Sequence, residues 1–276
     1  MVRWLAAIST PFGADGEIDL GAFGAHLAWI LERGLDGVFV GGTTGEGVLL
    51  DDDELLALVD RAVAVAGGSA VIAQVGRAST RATLRLLEGA YAAGAEQVAA
   101  YVPWFFPLED VQVRHHFLAL LEAAAERPLL VYSIPRHHVN VLRPAVLGEL
   151  AAAGLAGMKD STADAACHAE FASAVAGRAF RIYTGTDELI LGAVRSGGYG
   201  AITQFAAARP DLLAALGRAI DAGDQSAADA AAAVLAAERA ALGREGPPIA
   251  AVKRRVRAAL AEHGVDYPAT TRSPNL

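Results

Sequence analysis

The chain has 276 residues, 54% hydrophobic and 20% charged, with a formal net charge of -8 and a pI near 5.4. Such a composition excludes a disordered chain and argues against nucleic acid or an anionic membrane as a main partner. One cysteine, Cys167, excludes an intrachain disulfide and is read as a structural or incidental thiol.

The amino-terminal stretch 1–8 carries too short an apolar run for a signal peptide. No uncharged run reaches the roughly 18 residues a membrane span needs, so a cytoplasmic protein is expected. Along the chain, short β-rich runs alternate with longer Ala/Leu-rich segments of helical period. The predicted strands are residues 5–9, 37–41, 71–75, 97–102, 129–133, 155–158, 180–184 and 200–203. Between them the predicted helices cover 19–33, 52–66, 80–93, 108–126, 144–153, 165–175 and 187–196. Eight strands separated by single helices, at spacings of about 20 to 35 residues, predict an α/β fold, a (β/α)8 TIM barrel.

Past Thr203 the pattern changes to three consecutive helices, 209–222, 225–242 and 248–263, with Pro247 and Pro248 suited to start the last. The organisation expected is a barrel over 1–222 and a C-terminal helical extension over 223–276 packed on it. The basic cluster Lys253, Arg254, Arg255 and Arg257 reads as a solvated helix face or an oligomer contact.

In such a barrel the reacting groups sit at the carboxyl ends of the strands. Lys159 follows the short apolar run at 155–158, and with Lys253 it is one of only two lysines among 23 Lys+Arg. Arginine stays protonated, whereas a desolvated lysine can lose its proton and attack a carbonyl as a neutral amine. After the second strand, Gly42-Thr43-Thr44-Gly45-Glu46 offers backbone N–H groups and two hydroxyls, a suitable cradle for a carboxylate or phosphate. The fifth strand ends in Tyr132-Ser133-Ile134-Pro135-Arg136-His137-His138, where a tyrosine can shuttle a proton. If His137 and His138 are extended, they point to opposite faces, so at most one enters a site. No carboxylate accompanies them at ligand spacing, and no metal is expected. His115 and His116 read as surface on a helix. Asp187 is placed either to cap the next helix or to bind a hydroxylated ligand.

Together these motifs resemble the dihydrodipicolinate synthase / N-acetylneuraminate lyase family of pyruvate-dependent barrels, from Ser9-Thr10-Pro11-Phe12 through the closing helices. The motifs that carry the resemblance are Gly42 to Glu46, Tyr132 to Pro135, and Gly157-Met158-Lys159-Asp160. The resemblance implies that Lys159 forms an imine with the keto carbon of pyruvate or another 2-oxo acid. Tyr132 would carry protons, and Thr43 and Thr44 with their backbone N–H groups would hold the substrate carboxylate. Gly185 and Ile202 would line the same pocket, and no cofactor would be required. It also implies a homo-oligomer, a tetramer or dimer, in which Trp104-Phe105-Phe106 offers an apolar patch.

Two departures from the synthase branch bear on the substrate. The position of its aldehyde-binding arginine is His137 here, and the position of its tyrosine that reaches across a subunit contact is Phe105, which has no hydroxyl. In turn, Gly185-Thr186-Asp187-Glu188 is similar to the lyase branch's hydroxyl-binding motif, and Ser161 stands where that branch places a hydroxyl. The expectation is a pyruvate-dependent aldolase/lyase acting on a hydroxylated 2-oxo acid. The alternatives are the synthase itself, which condenses pyruvate with aspartate semialdehyde, and a non-catalytic 2-oxo-acid-binding barrel.

Overall fold

Eight parallel strands close on themselves in the order β1-β2-β3-β4-β5-β6-β7-β8. The computed structural model describes residues 3–275; Met1, Val2 and Leu276, assigned from sequence to the ends of barrel and extension, lie outside them. The strands are β1 (Arg3–Ala7), β2 (Gly37–Val40), β3 (Ala70–Gln74), β4 (Gln97–Tyr101), β5 (Leu129–Ser133), β6 (Gly157–Asp160), β7 (Arg181–Thr184) and β8 (Gly200–Thr203). The helices that alternate with them are α1 (Leu20–Glu32), α2 (Asp52–Ala66), α3 (Thr80–Ala92), α4 (Asp110–Ala124), α5 (Pro144–Ala152), α6 (Ala165–Ala174), α7 (Ile190–Arg195) and α8 (Pro210–Asp221). The helices α9 (Gln225–Gly243) and α10 (Pro248–Ala261) follow without a strand between them. No described helix is long and apolar enough to cross a membrane.

Strand alternation divides the apolar residues into two cores. Trp4, Ala6, Val38, Val40, Val98 and Met158 face outward onto the helices, while Leu5, Phe39, Ile72, Leu130, Tyr183 and Ile202 fill the barrel interior. Both faces are therefore covered, which is why the strands read as continuous apolar runs. Several helices start where an oxygen of the preceding residue satisfies a free N–H. Asp19, Ser79, Asp164 and Asp224 each accept from the first turn, and Asp51 with Glu54 forms a reciprocal box. Each such cap is worth about 1 kcal/mol.

Two predicted strands move by two residues. β1 begins two residues earlier than expected, with Arg3 paired to Gly200. β6 spans Gly157–Asp160, so Lys159 lies within the strand rather than after it. The ladder decides this: Lys159 pairs with Tyr132 on one side and Tyr183 on the other, and backbone bonds are indifferent to a charged side chain. The predicted helix over 187–196 is a 3-10 turn (Asp187–Leu189) followed by the shorter α7, and no side chain caps either start.

The basic cluster on α10 also reads differently in three dimensions. Lys253 is fully buried, with its ammonium bonded to Glu46 and to the carbonyl of Thr270. His116 is likewise buried, with Nδ1 2.9 Å from the Thr80 hydroxyl.

Candidate active site

The register places Tyr101, Tyr132, Lys159 and Tyr183 at one level on β4, β5, β6 and β7, each the Cα partner of the next. Successive residues on a strand alternate between faces, so all four turn into the barrel. Lys159 is 4% exposed, and its Nζ lies 4.3 Å from the ring centroids of both Phe39 and Tyr132. Burial lowers the Lys159 pKa, because the ammonium loses its hydration, while Tyr132 pulls the other way. This lysine is thus shifted toward the neutral, nucleophilic amine, with a phenol beside it to exchange a proton.

The loop after β2 reaches over this layer. Thr43 Oγ1 stands 3.3 Å from the Tyr132 hydroxyl and 3.4 Å from that of Tyr101. Thr43 and Thr44 both line a cavity of about 670 Å³ above the strand ends. Gly42 does not line it, because its backbone is packed on the Phe39 ring, where an added Cβ would approach to 2.7 Å. Glu46 ends the loop in a left-handed conformation (φ 55°), which costs a non-glycine residue about 1 kcal/mol. Donors from the end of the chain hold it there. Besides Lys253, the Arg272 backbone N–H and Asn275 Nδ2 donate to Glu46 Oε2, at 3.0 and 3.2 Å.

Ser161, Gly185, Asp187, Glu188, Ile202 and His137 all line the same cavity, as does His138. Both histidines reach it because Pro135–His137 forms a 3-10 turn, which removes the alternation expected of an extended segment. Gly185 is confined by chemistry on its neighbour: a Cβ there would collide with the Ser161 hydroxyl and the Asp160 carbonyl. Asp160 itself faces away from the site, accepting from Thr162 and from His168 Nδ1 at 2.8 Å, which stiffens the turn after Lys159.

Phe105 is not in this cavity. It is 68% exposed and lines a second hollow with Thr80, Phe106 and His115, while Trp104 takes the place in the site. Asp187 is 7% exposed, with Oδ2 paired to Arg239 Nε at 3.3 Å. Its Oδ1 is buried with no hydrogen-bond partner among the described residues. Burial pushes the Asp187 carboxyl up to about 6, against the pull of the Thr203 side chain and of Arg239. Arg239 comes from α9, so the C-terminal helices supply part of the cavity wall.

A family model described as the dihydrodipicolinate synthetase family matches residues 1–276. The chain belongs to the dihydrodipicolinate synthetase family. It is an enzyme of the lyase/aldolase kind. Among its relatives, the 4-hydroxy-tetrahydrodipicolinate synthase of Exiguobacterium sp. is 32% identical over 220 residues, covering 79% of this chain and 74% of that one. The N-acetylneuraminate lyase of Rhizobium meliloti is 32% identical over 212 residues, covering 76% and 70%. The crystal structure of dihydrodipicolinate synthase from Aquifex aeolicus has a TM-score of 0.88 at 26% identity, over 100% of this chain and 94% of that one. Relatives of this synthetase family therefore carry names with different substrates, and the family by itself leaves the substrate open.

Sequence reasoning missed Tyr101, Gln204 and Arg239 as cavity residues, and weighed Trp104 either for an apolar contact patch or for this pocket, which it lines. Tyr101 had a signal, since it ends a predicted strand as Tyr132 does. Arg239 had none, because nothing local in a 19-residue helix marks the turn that faces the barrel.

Proposed function

We propose that this member of the dihydrodipicolinate synthetase family is a pyruvate-dependent aldolase that forms a Schiff base at Lys159 and cleaves or forms a carbon–carbon bond in a hydroxylated 2-oxo acid. The observation that carries the reading is the buried Lys159 amine close to two aromatic rings, one of them the phenol Tyr132, in a cavity that Thr43, Ser161 and Asp187 also line.

Neutral Lys159 adds to the 2-oxo carbon, and the carbonyl electron pair moves to oxygen. Tyr132 carries one proton from nitrogen to oxygen and adds its own phenol proton, so that water leaves and a protonated imine and the Tyr132 phenolate remain. In the cleavage direction the Tyr132 phenolate takes the 4-hydroxyl proton, the C3–C4 bond breaks, and its electron pair neutralises the imine as an enamine while an aldehyde departs. Tyr132 returns that proton to C3, and hydrolysis of the protonated imine, consuming the water released earlier and giving a proton back to Tyr132, then yields pyruvate and free Lys159. Thr43 and Thr44 hold the substrate carboxylate in this reading. Ser161, Asp187, Glu188 and Arg239 meet the hydroxylated remainder, and the unpartnered Oδ1 of Asp187 supports an acceptor role there.

A substrate with several hydroxyls fits these groups better than aspartate semialdehyde. His137 stands in the aldehyde-carboxylate position, and Phe105 has neither a hydroxyl nor a place in the cavity. The test is borohydride reduction in the presence of pyruvate, which adds mass at Lys159 if the imine forms. An unmodified Lys159 would falsify the mechanism. Pyruvate with a panel of aldehydes, including aspartate semialdehyde, then reads the second substrate as new carbon–carbon bond formation.

A further inference from the structure

The Schiff-base reading leaves Tyr101 without a task, although it sits in the same layer as Lys159 and touches the same threonine. We propose that Tyr101 is the outer member of a hydroxyl relay, Tyr101–Thr43–Tyr132, that serves Lys159 from within a single chain. The proposal rests on the Schiff-base reading and deepens it by naming a positioning residue for its proton transfers.

The geometry gives the relay its direction. A threonine hydroxyl has one proton to donate and lone pairs to accept with, so between two phenols it accepts from one while donating to the other. Thr43 Oγ1 is placed for that, at 3.4 Å from the Tyr101 hydroxyl and 3.3 Å from that of Tyr132. Both spacings exceed the usual O–H···O range, as catalytic hydrogen bonds often do before substrate is bound.

Packing keeps Tyr101 at this post. Its ring stacks on Tyr132 with centroids 4.9 Å apart and 26° between planes. Trp104 and His138 meet it at steep angles, with centroids at 5.6 and 5.2 Å. Only 3% of the residue is exposed, yet it lines the cavity. Burial raises its pKa above the ordinary phenol value, so Tyr101 stays protonated and acts as a neutral hydroxyl rather than as an anion. Phe105, 68% exposed and outside the cavity, offers no hydroxyl to take this place.

When Tyr132 gives its proton toward the reacting centre, Thr43 donates to the phenolate oxygen and Tyr101 donates to Thr43. When Tyr132 takes a proton back, the same chain reverses. Tyr101 and Thr43 each keep their own proton and steady the Tyr132 oxygen through hydrogen bonds alone, and no group from a second copy enters.

Pyruvate alone tests this, because enamine formation exchanges its methyl protons with solvent. In D2O, exchange followed by proton NMR is expected to fall at least tenfold in Tyr101→Phe. The pyruvate concentration for half-maximal rate should stay within threefold, and borohydride should still trap pyruvate at Lys159. Thr43→Val should lose as much, Thr43→Ser should retain most of the rate, and the Tyr101→Phe/Thr43→Val double variant should be no slower than Thr43→Val alone. Thermal unfolding of each variant separates loss of the relay from loss of the fold. Mixing Tyr101→Phe with Lys159→Ala protein should give no more exchange than the sum of the two.

Equal exchange in Tyr101→Phe and the parent, multiplicative losses in the double variant, or restored exchange in the mixture each overturn the single-chain relay while imine trapping in the parent still stands. A parent that neither traps pyruvate nor exchanges its protons overturns the Schiff-base reading and the relay together.

Discussion

Lys253 on α10 and Glu46 at the end of the β2 loop form an ion pair with both side chains at 0% exposure. The pair ties the last helix to the loop that carries Thr43 and Thr44, from 207 residues away in sequence. Removing one partner leaves the other charge buried, which costs about 3–5 kcal/mol. Lys253→Met is therefore expected to lower stability in urea unfolding by that order. Where it still folds, pyruvate trapping at Lys159 should weaken, because Glu46 no longer holds the left-handed end of its loop. Adding Glu46→Gln to Lys253→Met should recover part of the lost stability, since the buried charge is gone.

Lys159 is expected to show the opposite balance. A buried amine whose pKa is lowered by desolvation is a cost to the fold. Lys159→Met should abolish imine trapping and aldol activity while the melting temperature stays level or rises. A melting temperature several degrees lower would contradict the assignment of Lys159 as a strained functional group.

Asp187 ties substrate affinity to pH. Its carboxyl is raised by burial from 3.8 to about 6 in the fold. The folded chain keeps this proton where the unfolded chain has released it, so the contribution to stability is full below about 3.8 and lost as pH rises through about 6. Asp187→Asn should remove that slope from a plot of melting temperature against pH. In the proposed function, affinity for a hydroxylated 2-oxo acid should rise as pH passes 6, when Asp187 becomes a charged acceptor. Arg239→Met should move that rise to higher pH, because the cation holding Asp187 ionised is gone.

Two buried histidines tilt stability the other way. Burial lowers His26 and His116 from 6.5 to about 4, so both stay neutral in the fold at pH values where the unfolded chain is protonated. Their contribution is present above 6.5 and lost as pH falls to about 4, worth at most roughly 3 kcal/mol for each. His26 is bonded through Nε2 to the carbonyl of Ala207 at 2.8 Å. Differential scanning calorimetry from pH 7 to 4.5 should show a shallower acid loss in His26→Gln or His116→Gln than in the parent.

Much of the barrel was legible because parallel strands buried on both faces are continuous apolar runs, and the helices between them announce their starts through Asp, Ser and Pro. Lys159 was legible for the same reason, as a charged residue at the end of such a run in a chain with one other lysine. Apolarity nevertheless stopped the predicted sixth strand at Met158, whereas the ladder to β5 and β7 carries it through Lys159 to Asp160. Hydrogen bonding extended the strand where hydrophobicity could not.

The sequence by itself determined the order of elements, the alternation that turns Tyr132 and Lys159 inward, and the glycine-threonine loop beside them, since each follows from neighbours a few residues apart. Tertiary structure alone decided that Lys253 is buried, that both His137 and His138 reach the cavity, that Phe105 leaves it, and that Arg239 meets Asp187. Those outcomes depend on a turn conformation and on how the last helices dock against the barrel. Such contacts join residues tens to hundreds of positions apart, and no local pattern encodes them.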